Sequence, residues 1–367
     1  MNFNNKLNYL LFVPLKIAEF FFRLINFFKK NNIPRKIILI IDIGHFGDQL
    51  MLTPAIKHLR ESKKTEGYKI YCVTSTLGEK AFKNNSYVDK VYTVNDRWEN
   101  NYNNYNSIIN YFELKYLIKD INPEIAFSCR STSYYIETFA MYGANVKFRY
   151  GYSGKGLKNL FSQTLDYDLK IHRVDQNINL MRLFTKESCT VSRKPYFYPV
   201  KSNINKSRIE SYICNSKVVL LNIFAEHNYI WELNFYLKII LFYEKKGYKV
   251  LLVGTKKNHN RVEDFLNKNK INRKNNLLGK TNIDELYYLL SKAHLLITID
   301  TGIRHLANCI ELPTISLRKT PNYDSEFGKY VNSEHVLNEK KGRKKYANTE
   351  HNEYLIKPEM LYERYEL

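Results

Sequence analysis

The sequence predicts an α/β protein of two domains, each a parallel sheet covered by helices, facing each other across a cleft behind an N-terminal amphipathic helix. Three observations carry this. The chain has 367 residues, 44% of them apolar, which is longer than one ordinary domain and enough for two cores. Short apolar runs alternate with helical stretches in two separate series, the rhythm of parallel strands joined by crossover helices. Between the series lies Ser188 to Ser207, which contains Pro195 and Pro199 and suits an interdomain linker. The expected divisions are residues 1–35 (amphipathic segment), 36–200 (first domain), 201–330 (second domain) and 331–367 (basic tail with a helix from Pro358).

The amino-terminal stretch Leu7 to Phe28 is dense in Leu, Ile and Phe, and Lys16, Glu19 and Arg23 form one narrow polar stripe on it. Lys29, Lys30, Arg35 and Lys36 follow. This is the pattern of a helix lying in a membrane interface, its basic neighbours meeting anionic headgroups. A spanning helix carries those three charges through hydrocarbon at about 2 to 3 kcal/mol each. A helix packed on the protein itself also fits. The weakly basic start, with no small-residue cleavage site after it, argues against a signal peptide.

In the first series the expected strands are Lys36 to Ile43, Lys69 to Thr74, Lys90 to Val94 and Ile125 to Ser128, with helices over Pro54 to Ser62 and Glu113 to Ile121. Asp96 to Asn110, rich in Asn and Tyr, reads as a long exposed loop. The second series has strands at Val218 to Ile223, Lys249 to Val253, Leu295 to Ile299 and Thr314 to Leu317. Its helices lie at Leu233 to Lys246, Arg261 to Asn269, Ile283 to Lys292 and Gly302 to Ile310.

A formal charge of +21, from 57 basic and 36 acidic residues, favours anionic partners such as phosphorylated glycolipid, nucleotide or nucleic acid. A composition rich in Asn, Lys, Ile and Tyr produces the same excess without any partner, so charge alone assigns none. No RNA- or DNA-binding motif accompanies it. Five scattered cysteines without a C-x-x-C pair favour reduced thiols in a cytosolic chain over disulfides or a zinc site.

Two constellations carry chemistry. The apolar strand Lys36 to Ile43 runs into Gly44-His45-Phe46-Gly47-Asp48 and then Thr53-Pro54-Ala55. Loops at the carboxyl ends of parallel strands form the ligand crevice, so Asp48 stands where a reacting group belongs; as a plain alternative it caps the following helix. G-x-G-x-x-G is absent, which argues against a nicotinamide site. Later, Leu295 to Ile299 delivers Asp300-Thr301-Gly302 to a helix start that carries Arg304 and His305. Free N–H groups there suit a diphosphate; the plain alternative is an Asp or Thr cap with a buried His.

Together these stretches resemble glycosyltransferase family 9, the heptosyltransferases of lipopolysaccharide core assembly. The resemblance rests on Gly47-Asp48 with Thr53-Pro54-Ala55, and on Asp300-Thr301-Gly302 with His305. Tyr142-Gly143-Ala144, Arg149-Tyr150-Gly151-Tyr152, Val250 to Gly254 and Asn276 to Thr281 fit between them. It implies the GT-B fold of two Rossmann-like domains and transfer with inversion at the anomeric carbon. Asp48 is then the base, Gly47, Asp300, Thr301, Gly302 and His305 belong to the donor site, and no metal is obligatory. Lys280, Arg304 and Glu226 are further donor-side candidates; Arg130 and Arg149, with Ser131 and Lys155, are candidates for an anionic glycolipid or oligosaccharide acceptor. The default donor is ADP-heptose. The implied location is the inner face of the bacterial inner membrane, with the membrane surface and no nucleic acid as partner. The sequence departs from the family at Ile223 to Trp231, where Tyr229 replaces an expected lysine and His227 is the nearest substitute. His45-Phe46 also lacks the serine expected before Gly-Asp. These departures keep two alternatives open, a same-fold transferase using another sugar nucleotide for capsule or surface glycan, and a non-catalytic member that only binds glycolipid or nucleotide.

Overall fold

The computed structural model describes residues 33–94, 104–130, 135–153, 157–224, 233–318, 325–329, 331–338 and 358–362, together with Ile17 and Phe21. Apart from those last two positions and residues 33–35, the amino-terminal amphipathic segment lies outside them. Among the described residues no helix is long and apolar enough to cross a membrane. The chain forms two compact units, one ending at Tyr198 and the other beginning at Pro199.

The first unit runs β1 (Arg35–Ile41), α1 (Phe46–Glu61), β2 (Lys69–Ser75), α2 (Thr76–Phe82), β3 (Lys90–Val94), α3 (Asn104–Ile121) and β4 (Pro123–Ser128). It continues with α4 (Tyr135–Gly143), β5 (Phe148–Ser153), β6 (Gln163–Asp166) and α5 (Arg173–Thr185). Its six strands are all parallel, in the order β3-β2-β1-β4-β5-β6. That is the doubly wound order, which reverses direction between β1 and β4 and opens a crevice there at the carboxyl ends of the strands. Ile37, Leu39 and Ile41 from β1 pack with Ile118 and Ile121 from α3 and Ala140 from α4 in one buried cluster.

Two expectations are corrected here. Asp96 to Asn110 is not wholly loop: α3 begins at Asn104, and Asn110 is fully buried. The first helix begins at Phe46, eight residues before Pro54, and runs through it. A proline has no N–H, so it leaves the carbonyl of Leu50 without its helical partner. Thr53 Oγ1 donates to that carbonyl at 2.7 Å and also accepts the amide of Tyr196 at 2.8 Å. Thr-Pro thus keeps the helix continuous and ties a distant segment to it.

The second unit contains α6 (Lys206–Ile213), β7 (Val218–Asn222), α7 (Leu233–Lys245), β8 (Lys249–Leu252), α8 (His259–Lys268), α9 (Ile283–Lys292) and β9 (Leu295–Ile299). Then follow α10 (Gly302–Asn308), β10 (Thr314–Arg318), β11 (Glu334–Asn338) and α11 (Glu359–Tyr362). Its sheet is also parallel, ordered β11-β10-β9-β7-β8, with the reversal between β7 and β9. Val219, Leu221, Leu295 and Ile297 are fully buried with Tyr236, Ile239 and Ile240 of α7. The edge strand β11 and Leu361 belong to this core, so part of the stretch read as a basic tail is built into the second unit.

Candidate active site

In the first unit the crevice is entered by the loop after β1. Asp42 is 2% exposed and sits where the strand ends. Gln49 Nε2 donates to its carbonyl at 2.9 Å and to Oδ1 at 3.1 Å. Arg173, at the start of α5, lies 3.6 Å from Oδ2 and donates to the Cys129 carbonyl at 2.6 Å and to the Tyr167 hydroxyl at 3.2 Å. Burial raises the Asp42 carboxyl pKa, against the opposing pull of Arg173 and then Arg130.

Gly44 passes between Asp42 and Asp48. A Cβ there would stand 2.7 Å from Asp42 Oδ1, 2.9 Å from Asp48 Cβ and 3.0 Å from Asp48 Oδ2, distances that real Cβ atoms do not tolerate. Only glycine lets the turn bring the two carboxylates to the same backbone atom. Asp48 is in the first turn of α1, half-buried, and its Oδ2 accepts the His45 amide at 2.9 Å. The carboxylate therefore does help cap the helix, through one oxygen; among the described residues no hydrogen bond reaches Oδ1. Gly47 is buried one residue earlier in that turn.

Behind this loop, Ser128 Oγ, at the end of β4, donates to Glu137 of α4. Glu137 is fully buried, and burial pushes its carboxyl up to about 8, the Ser128 hydrogen bond opposing and the charge of Asp42 adding to the rise. Arg130 follows β4, where its charge acts on both Asp42 and Glu137. Arg149 does not fit the acceptor role expected of it. Its Nε donates to the Leu160 carbonyl at 2.6 Å, its Nη1 to the Val146 carbonyl, and its guanidinium lies 5.0 Å from the centre of the Tyr142 ring. It fastens β5 to its own loops. Ser131 and Lys155 lie outside the described residues.

In the second unit, Asp300 and Thr301 follow β9 at the corresponding reversal. Thr301 makes no side-chain cap on α10. Its hydroxyl lies 3.3 Å from Asn222 Oδ1, which Thr298 also reaches at 3.2 Å, while Asn222 Nδ2 holds the Val253 carbonyl at 3.0 Å. Asn222, the last residue of β7, thus stitches the two strands that flank the crevice. Gly302 opens α10, a helix of seven residues, and its first amides carry no cap from Thr301.

Asp300 does not cap the helix either. Its Oδ1 lies 3.0 Å from Arg304 Nη1 and 4.0 Å from His305 Nε2, and its Oδ2 lies 3.3 Å from Arg318. Desolvation works to raise its pKa, but Arg304, then Arg318 and His305, hold the carboxyl below its ordinary value. Arg304, a donor-side candidate from the sequence, is placed where it cannot meet a ligand directly. Arg304 is fully buried, paired through Nε with buried Glu334 and donating to the carbonyls of Phe327 at 3.0 Å and Gly328 at 2.8 Å. It is a structural cation that orients Asp300. His305 is buried beside it.

Lys280 also lies at the carboxyl-end side of this sheet, after Gly279, whose amide bonds the Gly254 carbonyl at 2.9 Å. It follows the segment that pairs with the outer side of β8, so β8 and β7 both intervene before β9, roughly 14 Å from Asp300 at the usual strand spacing. Glu226, His227 and Tyr229 lie outside the described residues. The sequence reading missed Asp42, Gln49, Arg173, Asn222 and Glu334; the one available signal was a charged or amide residue closing an otherwise apolar strand, at Asp42 and at Asn222.

Both candidate stretches therefore stand at the reversal points of doubly wound sheets, where such folds bind ligands. The fold is similar to that of a family 9 glycosyl transferase from Veillonella parvula DSM 2008, with a TM-score of 0.68 at 16% identity over 83% of this chain and 86% of that one. It is similar to E. coli ADP-heptose lipopolysaccharide heptosyltransferase II, with a TM-score of 0.64 at 17% identity over 82% and 89%. An E. coli heptosyltransferase solved with ADP-2-deoxy-2-fluoro heptose gives 0.61 at 14% identity over 82% and 92%. No curated protein matches the chain. Residues 139–353 match the family described as glycosyltransferase family 9 (heptosyltransferase), which is more than half of the sequence. The chain is a GT-B glycosyltransferase and belongs to glycosyltransferase family 9.

Proposed function

We propose that this glycosyltransferase moves a heptose from ADP-heptose to a phosphorylated lipopolysaccharide-core or related surface-glycan acceptor, inverting the anomeric configuration. The observation that carries the reading is Asp48, a carboxylate at the reversal point of the first sheet whose Oδ2 is anchored by the His45 amide at 2.9 Å. An anchored carboxylate with a second oxygen outside that hydrogen bond suits a general base. Asp48 takes the proton of the acceptor hydroxyl, the acceptor oxygen bonds to the anomeric carbon from the face opposite the diphosphate, and the carbon–oxygen bond to the diphosphate breaks. A single displacement of this kind inverts the centre.

The departing nucleoside diphosphate gathers negative charge, which the second unit is suited to receive. The uncapped first amides of α10 and the Thr301 hydroxyl offer hydrogen bonds, and Lys280 offers a cation. Asp300 acts indirectly, held in one orientation by two arginines. As proposed, the displacement proceeds without an obligatory metal ion. Similar E. coli heptosyltransferase structures were solved with ADP or an ADP-sugar analogue, which supports an ADP-linked donor. The net charge of +21 and the amphipathic segment 1–35 support an anionic acceptor at the inner face of the bacterial inner membrane.

The test is transfer and hydrolysis by the purified protein against ADP-, GDP-, UDP- and CMP-sugars. Turnover with ADP-heptose alone is the expected result. Turnover with a different base keeps the fold and the base but replaces the donor; nucleotide binding without turnover on any acceptor extract establishes the non-catalytic reading.

A further inference from the structure

His58, Glu187 and Cys189 are far apart in sequence, yet the first unit brings one ligand atom of each within 4.8 Å of the others. His58 is buried near the carboxyl end of α1; Glu187 and Cys189 follow α5, half-buried and exposed respectively. We propose that these three side chains bind a divalent cation of the zinc class, through one imidazole nitrogen, one carboxylate oxygen and one thiolate, with water completing the set.

The geometry of one edge already fits. His58 Nδ1 and Cys189 Sγ are 3.7 Å apart. A tetrahedral zinc ion with Zn–N near 2.0–2.1 Å and Zn–S near 2.3 Å sets its nitrogen and sulfur ligands about 3.6 Å apart. The remaining edges, within 4.8 Å, close by about 1.4 Å at most to reach tetrahedral spacing, within the reach of the Glu187 side-chain torsions.

The surroundings also fit. His58 Nε2 lies 3.1 Å from Thr185 Oγ1, the arrangement in which a ligating imidazole hands its other N–H to an oxygen and keeps its lone pair on the metal side. Ser62 Oγ donates to Glu187 Oε1 at 2.7 Å, fixing the carboxylate through one oxygen and leaving the other to ligate. A mixed nitrogen, oxygen and sulfur set selects a borderline ion over magnesium or calcium, which take oxygen ligands.

The missing C-x-x-C pair had argued against zinc, but that rule concerns ligands on one local turn. Here the thiolate and the imidazole are 131 residues apart and meet only in the fold. The site lies ten residues along α1 from Asp48, about 15 Å at 1.5 Å per residue. The ion therefore ties the segment after α5 to the helix that carries Asp48 and takes no part in sugar transfer.

The test uses tag-free, reduced, metal-stripped full-length protein. Zinc is titrated against a chromophoric chelator, and cobalt(II) is titrated by absorption. The proposal predicts one tightly bound equivalent of zinc and a thiolate-to-cobalt charge-transfer band. Cys189→Ser and His58→Gln, each shown folded by circular dichroism, weaken zinc binding by roughly tenfold or more and Cys189→Ser removes the band. Cys214→Ser, at an exposed cysteine outside the cluster, changes neither. Sub-stoichiometric zinc, equal affinity in Cys189→Ser, or a cobalt spectrum without the thiolate band overturns it and leaves a His58–Cys189 hydrogen bond.

Discussion

Arg173 lies 3.6 Å from Asp42 in the interior of the first unit, the arginine 5% and the aspartate 1% exposed by side chain. Removing one member of a buried ion pair leaves an uncompensated charge, which costs about 3–5 kcal/mol. Arg173→Met is therefore expected to lower stability by that order in urea denaturation. Combining it with Asp42→Asn is expected to recover part of the loss, because no carboxylate is then left unpaired. A loss no smaller in the double variant than in the single one contradicts the pairing.

Glu137 makes stability depend on pH in an unusual direction. Its carboxyl is at about 8 in the folded chain against an ordinary 4.5, so between those values the folded state holds a proton that the unfolded state has lost. Stability then falls as pH rises through this window, by up to about 1.4 kcal/mol per unit, and is fully present below the unfolded value. Glu137→Gln, isosteric and always neutral, is expected to flatten that decline. Thermal melts of both proteins from pH 5 to 8 measure it; parallel curves for the two proteins contradict the assignment.

Arg304 serves the second unit as Arg173 serves the first. Arg304→Met leaves buried Glu334 without its cation and is expected to destabilise by about 3–5 kcal/mol. Asp300→Asn, at a carboxylate 38% exposed, is expected to cost less in stability and to weaken nucleotide binding by displacing the loop before α10. Chemical denaturation and nucleotide titration of the two variants separate these effects.

Thr53→Val removes the hydroxyl that serves both the Leu50 carbonyl and the Tyr196 amide. Leaving those groups unmatched is expected to cost about 1–3 kcal/mol, readable as a shift in the urea midpoint. A neutral result shows that the helix tolerates Pro54 without the threonine.

The fold was legible where strands are buried on both faces. β1 and β7 read as near-continuous apolar runs because a parallel sheet covered by helices offers no solvent-facing side. β5 and β6 did not, since Arg149-Tyr150-Gly151-Tyr152 and Gln163 to Asp166 carry too few apolar residues to mark a strand, and β6 is an edge. The start of α1 was hidden because Pro54 reads as a first-turn residue, and only the Thr53 hydroxyl, visible in three dimensions, explains its place inside the helix. At the site, Asp48 and Asp300 stood out as acids following apolar strands. Their supports did not: Arg173 pairs with Asp42, and Glu334 with Arg304, across stretches with no periodic signature, and a buried carboxylate announces that a cation is needed without naming it.

The proposed transfer turns on Asp48 as the base. The direct measurement is steady-state transfer by Asp48→Asn beside the wild-type chain, with nucleotide affinity measured in both. Asparagine keeps an acceptor for the His45 amide but cannot take a proton, so turnover is expected to fall by about 10²–10⁴-fold with nucleotide affinity unchanged. Transfer within a few-fold of wild type contradicts the account and moves the base elsewhere.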